Sequence, residues 1–225
     1  MKIVKISAQR PDSKVIAHAA EIIRRGGLVV FPTETVYGLG ADAFNARAVR
    51  KIFKIKGRPE KKPLIVHISK KSTIDILARD VPSVARALVR KFWSGPLTLV
   101  FHAQKALPDL VLGKLNSSIV PSMELFIQPK GRVKTVAVRM PAHKVALALI
   151  RAAGPLAAPS ANFSGEKPPT RVSDISRALL RRVDLVLDAG STSVRVPSTV
   201  LDLTVSPPKI LREGAINKKQ LKKFL

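Results

Sequence analysis

Between residues 31 and 68 the chain reads FPTETVYGLGADAFNARAVRKIFKIKGRPEKKPLIVHI. The apolar run 28–31 that feeds this stretch predicts a buried strand, and residues 64–68 at its far end predict another. Between them comes a turn of hydroxyls and glycines, residues 32–40. A short helix follows, which Asn45 can cap and which carries Val49, Ile52 and Phe53 on one face. Then comes a loop bearing Lys54, Lys56, Arg58, Lys61 and Lys62. Five of the nine residues 54–62 are cationic, whereas at the chain average of 40 Lys and Arg in 225 nine residues would hold fewer than two. A cationic loop between strands, next to a hydroxyl-lined turn, suits a polyanion and a small polar molecule held together.

Outward from this stretch the same α/β pattern continues. Asp12 and Ser13 can cap a helix with Val15, Ile16, Ala19, Ile22 and Ile23 on its apolar face, ended by Gly26 and Gly27. Pro82 opens a helix that the SGP of residues 94–96 breaks, and residues 97–101 read as a strand. Residues 135–139 alternate as a strand, and Pro141 suits the first turn of a helix running to Ala153. A short strand at 156–158 precedes a helix that Ser173 can cap and that runs through Leu180. Strands at 184–188, 199–204 and 209–212 and a closing helix at 217–224 complete the pattern. Residues 105–134 are irregular, with 124–128 as one arm of a hairpin. Strands alternate with helices early and cluster late. The expected fold is therefore α/β, a twisted mixed parallel and antiparallel sheet with flanking helices, in a single domain over residues 1–225.

Composition narrows the function. Forty basic residues face fifteen acidic ones, for a net charge of +25. RNA, DNA or a nucleoside triphosphate are natural counter-ions, and a solvated basic surface is the plainer alternative. With no cysteine there is no disulfide, thiolate zinc site or Cys nucleophile. The four histidines show no metal-ligand spacing. No apolar stretch approaches the roughly 20 residues needed to span a bilayer, and MKIVKISAQR at the start lacks an apolar signal core. A cytoplasmic protein without membrane contact is expected.

Neither a GxxxxGK[ST] loop nor a GxGxxG opening a helix is present, so phosphate has to be held by side-chain charge. Lys56, Arg58 and Lys62 can do this, with Gly57 and Pro59 shaping the loop. Thr33 and Thr35 offer hydroxyls in the turn, where Gly38 and Gly40 permit close approach. Ser160 and Asn162 leave the strand at 156–158, the kind of exit where open α/β sheets bind ligands. Arg139 ends an apolar run and is aimed at a carboxylate, either a ligand's or one of the protein's few acids. His67, inside LIVHI, is a half-buried histidine or a ligand contact. Ser198 and Arg212 sit at strand edges and are ambiguous one by one.

Taken in order, FPTETVYGLG, KIFKIKGRP with KPLIVHI, SGPLTLV, VAVRMPAH, APSANFSG, PSTVLDLT and ILREG resemble the YrdC/TsaC family of L-threonylcarbamoyladenylate synthases. The resemblance runs from about Ile16 to Gly214. It implies a large cationic cavity and the joining of L-threonine, bicarbonate and ATP into threonylcarbamoyl-AMP and pyrophosphate. A tRNA threonylcarbamoyl-transferase complex would then use the product to modify adenosine in tRNA. By resemblance, threonine would meet Thr35, His67, Arg139, the backbone at Ala158, and Ser198. ATP would meet Lys56, Arg58, Lys62, Thr135, Ser160, Asn162, Pro168 and Arg212. Lys56 and Arg58 would serve the chemistry by positioning and charge neutralisation. Mg²⁺ would arrive with ATP, since no acidic cluster offers a separate metal site.

Some features depart from the family pattern. Residues 105–134 are longer than its usual connector, and are expected to form a surface insert. Val196 stands where an acid is common, two places before Ser198. The chain resembles the short, stand-alone form, without the linker and second domain of longer relatives. Two rival readings remain. One is a non-catalytic basic module for double-stranded RNA or tRNA, which threonine-dependent ATP consumption would separate from the enzyme. The other is a carbamoyl-transferring relative as in hydrogenase maturation, whose zinc fingers a cysteine-free chain cannot supply.

Overall fold

A computed structural model describes residues 2–104, 107–114 and 134–225. The stretch 31–68 folds largely as its pattern dictates. Strand β2 (Val29–Phe31) runs into an irregular PTET segment, then β3 (Gly38–Asp42), helix α2 (Ala46–Lys56) and strand β4 (Ile65–His67). Asn45 caps α2, its Oδ1 accepting from the amides of Arg47 and Ala48 at 3.1 Å each. Gly57, at φ +59°, ends it in the left-handed conformation that glycine adopts without cost. Before this stretch lie β1 (Lys2–Lys5) and α1 (Ser13–Arg24), the latter capped by Asp12.

After it come α3 (Ile74–Leu77), β5 (Ala78–Arg79), α4 (Ser83–Phe92), β6 (Leu97–Ala103) and β7 (Gly113–Lys114). Next are β8 (Lys134–Arg139), α5 (Lys144–Ala153), β9 (Leu156–Ala157), α6 (Arg177–Leu180) and β10 (Leu185–Asp188). The chain closes with β11 (Thr199–Asp202), β12 (Lys209–Arg212) and α7 (Lys218–Leu221). The strands form one mixed sheet in the order β1-β10-β2-β3-β9-β4-β8-β6-β11-β12, with β5 on β6 and β7 on β8. Parallel pairs such as β10 with β2 and β4 with β8 are mixed with antiparallel ones such as β2 with β3 and β6 with β8.

Both faces are covered, which is why the central strands read as continuous apolar runs. Val29 and Phe31 pack with α1 and α5, while Val30 packs with Leu39, Val49 and Ile52 on the opposite face. The mixed α/β sheet expected from the sequence is therefore present.

Several local expectations are corrected. Gly38 and Gly40 belong to a strand rather than a turn. A Cβ on Gly40 would stand 2.8 Å from the Phe31 ring, so glycine there admits the aromatic. Lys54 and Lys56 lie in the last turn of α2, because the helix runs on to the Gly57 cap. Pro141 precedes α5 by three residues. The Met140 carbonyl accepts from the Gly95 amide at 2.8 Å, which holds the chain outside the helix. The helix expected from Ser173 is a 3-10 turn, Val172–Asp174, followed by the short α6, whose cap is Ser176. Part of the expected surface insert is core: Leu107, Val111 and Leu112 are buried. The hairpin arm at 124–128 lies outside the described residues.

Candidate active site

The site begins with strand register. In the parallel pair β4–β8, His67 stands opposite Arg139, and in the antiparallel pair β6–β8, Thr98 stands opposite Arg139. Opposed residues project to the same face of a sheet. Three polar side chains thus emerge together where β4 and β8 end. Ser198, just before β11, joins them, its Oγ 2.8 Å from Thr98 Oγ1. The segment after β9 is brought in by a bridge between Ser160 and Gly38.

These elements surround a cavity of about 120 Å³. Of the residues anticipated from the sequence, Arg58, His67, Arg139, Ala158, Ser160, Pro168, Ser198 and Arg212 line it. Arg212 donates to the Ser198 carbonyl at 2.8 Å and to its Oγ at 3.2 Å. Arg58 is held by the loop it belongs to, donating to the carbonyls of Lys62 at 2.9 Å and Pro63 at 2.8 Å. Burial pulls the pKa of Arg58 down, and the Arg212 charge adds to it. Burial and then the Arg139 charge do the same to Arg212. Guanidinium groups that depress one another are short of anions, and a ligand phosphate or carboxylate would relieve the repulsion.

Three further anticipated residues lie behind the wall. Lys56 is 3% exposed, and its ammonium donates to the carbonyls of Ser160 and Asn162. Burial first, and the Arg58 charge second, bring its pKa down to about 8. Asn162 spends its amide on the carbonyls of Phe163 at 2.9 Å and Glu166 at 2.6 Å, shaping the same loop. The Thr35 hydroxyl accepts from Arg139 Nη2 at 2.9 Å and meets Thr33 Oγ1 at the same distance. These side chains position the lining.

Two anticipated contacts are not brought to the cavity. Lys62 is exposed beyond Arg58 and contributes its carbonyl to that arginine. Thr135 faces His102 and Gly113, at the far end of β8 from Arg139. Arg139 lies four positions further along the strand, roughly 13 Å at the usual rise.

His67 is buried and neutral: burial first, then the Arg139 charge, lower its pKa to about 3. Its Nδ1 has no hydrogen-bond partner, although the ring faces the cavity. Arg139 has one of the protein's few acids beside it, its Nη2 standing 2.8 Å from the Oε1 of Glu34, while it also lines the cavity. It also donates from Nε to the Gly95 carbonyl at 3.2 Å. Glu34 and Thr98 were not anticipated. An acid inside a PTET segment of a strongly basic chain was the available hint for Glu34, and Thr98 emerges only from the register of β6 on β8.

A larger groove of about 420 Å³ lies between α1 and α5, but its walls are Ile16, Leu147 and other mostly apolar residues. Among the described residues, no three His, Asp or Glu side chains cluster so as to hold a metal ion, and no helix is long and apolar enough to cross a membrane.

Fold and site together define a mixed α/β fold with a cavity lined by three arginines at the ends of its strands. Residues 21–214 match the Sua5/YciO/YrdC family model, described as "Telomere recombination". The chain is 41% identical over 226 residues to a threonylcarbamoyl-AMP synthase of Pyrococcus abyssi, covering 100% of this chain and 61% of that protein. To the Bacillus subtilis protein of the same name it is 42% identical over 207 residues, covering 92% and 55%. The crystal structure of P. abyssi Sua5 complexed with L-threonine superimposes with a TM-score of 0.88 at 40% identity, covering 100% of this chain and 61% of that one. The chain belongs to the Sua5/YciO/YrdC family. It spans about three-fifths of the length of these relatives.

Proposed function

We propose that this chain forms threonylcarbamoyl-AMP from L-threonine, bicarbonate and ATP. The observation that carries the reading is the convergence of Arg58, Arg139, Arg212, His67 and Ser198 on one cavity in a member of this family. The names of the relatives and the threonine bound in the Sua5 structure support it.

In this reading Arg139 receives the threonine carboxylate, with Ser198, His67 and the Ala158 backbone around the rest of the amino acid. The amine adds to the carbon of bicarbonate, a C–N bond forms, water leaves, and a carbamate results. A carbamate oxygen then attacks the α-phosphorus of ATP, and the bond to the bridging oxygen breaks to release pyrophosphate. No enzyme nucleophile is needed. Arg58 and Arg212 neutralise the phosphates, and Lys56 and Asn162 hold the loop of Ser160 in place, so the protein acts by positioning and charge. The cavity is small beside the roughly 300–1,000 Å³ that enclose a drug-sized ligand. It matches an amino acid, and the nucleotide extends beyond it along Arg58 and Pro168. Mg²⁺ would arrive with ATP and add to the charge neutralisation that Arg58 and Arg212 supply at the phosphates.

The product would pass to a tRNA threonylcarbamoyl-transferase complex in the cytoplasm. Direct RNA contact is a second element of the reading, favoured by the +25 charge. The test is pyrophosphate release by purified protein supplied with ATP, Mg²⁺, bicarbonate and L-threonine, with threonylcarbamoyl-AMP detected by mass. Release should stop when threonine or bicarbonate is omitted. Release indifferent to threonine would overturn the proposal, and RNA binding without any turnover would favour the non-catalytic module.

A further inference from the structure

Glu34 is the only buried acid among the described residues. Its side chain is 6% exposed, beside an Arg139 that is 4% exposed. Neither carboxylate oxygen has a hydrogen-bond donor aligned on it, even at 2.8 Å from Arg139 Nη2. Its backbone is firmly placed, since the Glu34 carbonyl accepts from the Val194 amide at 2.8 Å. A buried carboxylate kept without hydrogen bonds contributes its charge more than its bonding. It stands behind a wall that otherwise presents Arg58, Arg139 and Arg212. Such a wall attracts any anion and repels an ammonium group. A free amino acid carries both charges.

We infer that Glu34 is a specificity-determining residue: its negative charge lets the cationic cavity accept a zwitterionic amino acid in preference to a simple carboxylate anion. The inference rests on the proposed amino-acid substrate. Removing the charge favours anions and disfavours cations, whatever else it does to the shape of the site. The ratio of two affinities therefore reports on it, and an effect on folding alone would not move that ratio.

The experiment is calorimetric titration with L-threonine and with 2,3-dihydroxybutanoate, which carries a hydroxyl in place of the amine. Wild-type protein should prefer threonine. Glu34→Gln should lower the ratio of threonine to dihydroxybutanoate affinity by about tenfold, the scale of one partly screened charge. Glu34→Asp, which keeps the charge, should stay within about threefold of the wild-type ratio. Glu34→Met fills a similar volume without charge and carries the same test if the Gln variant does not fold. A ratio unchanged in the uncharged variants, whether both affinities fall together or neither does, would overturn the inference and leave Glu34 a structural ion pair. A raised ratio would overturn it as well. Wild-type protein that takes dihydroxybutanoate as readily as threonine would also overturn it while leaving the cavity an anion site. Wild-type protein that binds neither would remove the proposed substrate itself.

Discussion

At the scale of single residues, the three arginines around the cavity have separable duties. Arg58→Ala should weaken ATP binding roughly 10–100-fold, the usual cost of a lost hydrogen bond to a charged group, with threonine affinity near normal. Arg139→Ala should do the reverse, and separate titrations of the two ligands check both. His67 makes a statement about pH. Its folded pKa of about 3 lies below the unfolded value of 6.5. Between those values the unfolded chain holds a proton that the folded chain does not. Stability from this residue is thus full above 6.5 and is lost as pH falls toward 3. Urea unfolding at about pH 7 and about pH 4.5 should show a smaller acid loss in His67→Gln than in wild type. Arg139 and Ser160 were legible because each ends or follows an apolar run, and Arg58 because it stands in a cationic loop, whereas His67, Ser198 and Arg212 were assigned only through the family motifs. Glu34 was not legible, since its significance depends on an arginine about a hundred positions away. Lys56 read as a phosphate ligand, but burial turns its ammonium toward two carbonyls.

At the scale of elements, local signals were reliable where local chemistry decides. Asn45 and Gly57 bound α2 as a cap and a left-handed stop, and Asp12 starts α1. Signals failed where a distant contact decides. Gly38 and Gly40 look like turn residues, yet they make a strand because Phe31 needs the space above them. Gly40→Ala should therefore destabilise the protein by about 1–3 kcal/mol, as overpacking does, measured by denaturant unfolding. Pro141 suits a helix start, but the Gly95 amide on the Met140 carbonyl keeps it outside. β1 has only four residues, Lys-Ile-Val-Lys, and is a strand through its pairing with β10.

For the whole molecule, charge is the dominant fact. Beyond the cavity, Lys91, Lys219, Lys222 and Lys223 gather around one concave surface, and none of them pairs with an acid among the described residues. If the +25 charge serves RNA, affinity for tRNA should fall linearly on a log-log plot against salt. Replacing Lys219, Lys222 and Lys223 by Glu should lower that affinity, and a gel-shift titration checks it. The mixed sheet with flanking helices followed from strands that alternate with helices early and cluster late; the order of the strands did not. The meeting of β4, β8 and β11 at one cavity did not, because strand neighbours far apart in sequence carry no local mark. The central claim is that one cavity holds an amino acid and a nucleotide tail side by side. A crystal grown with L-threonine and a non-hydrolysable ATP analogue tests it most directly. The threonine carboxylate should lie on Arg139 and the phosphates on Arg58 and Arg212. Either molecule lodged away from those arginines would contradict it.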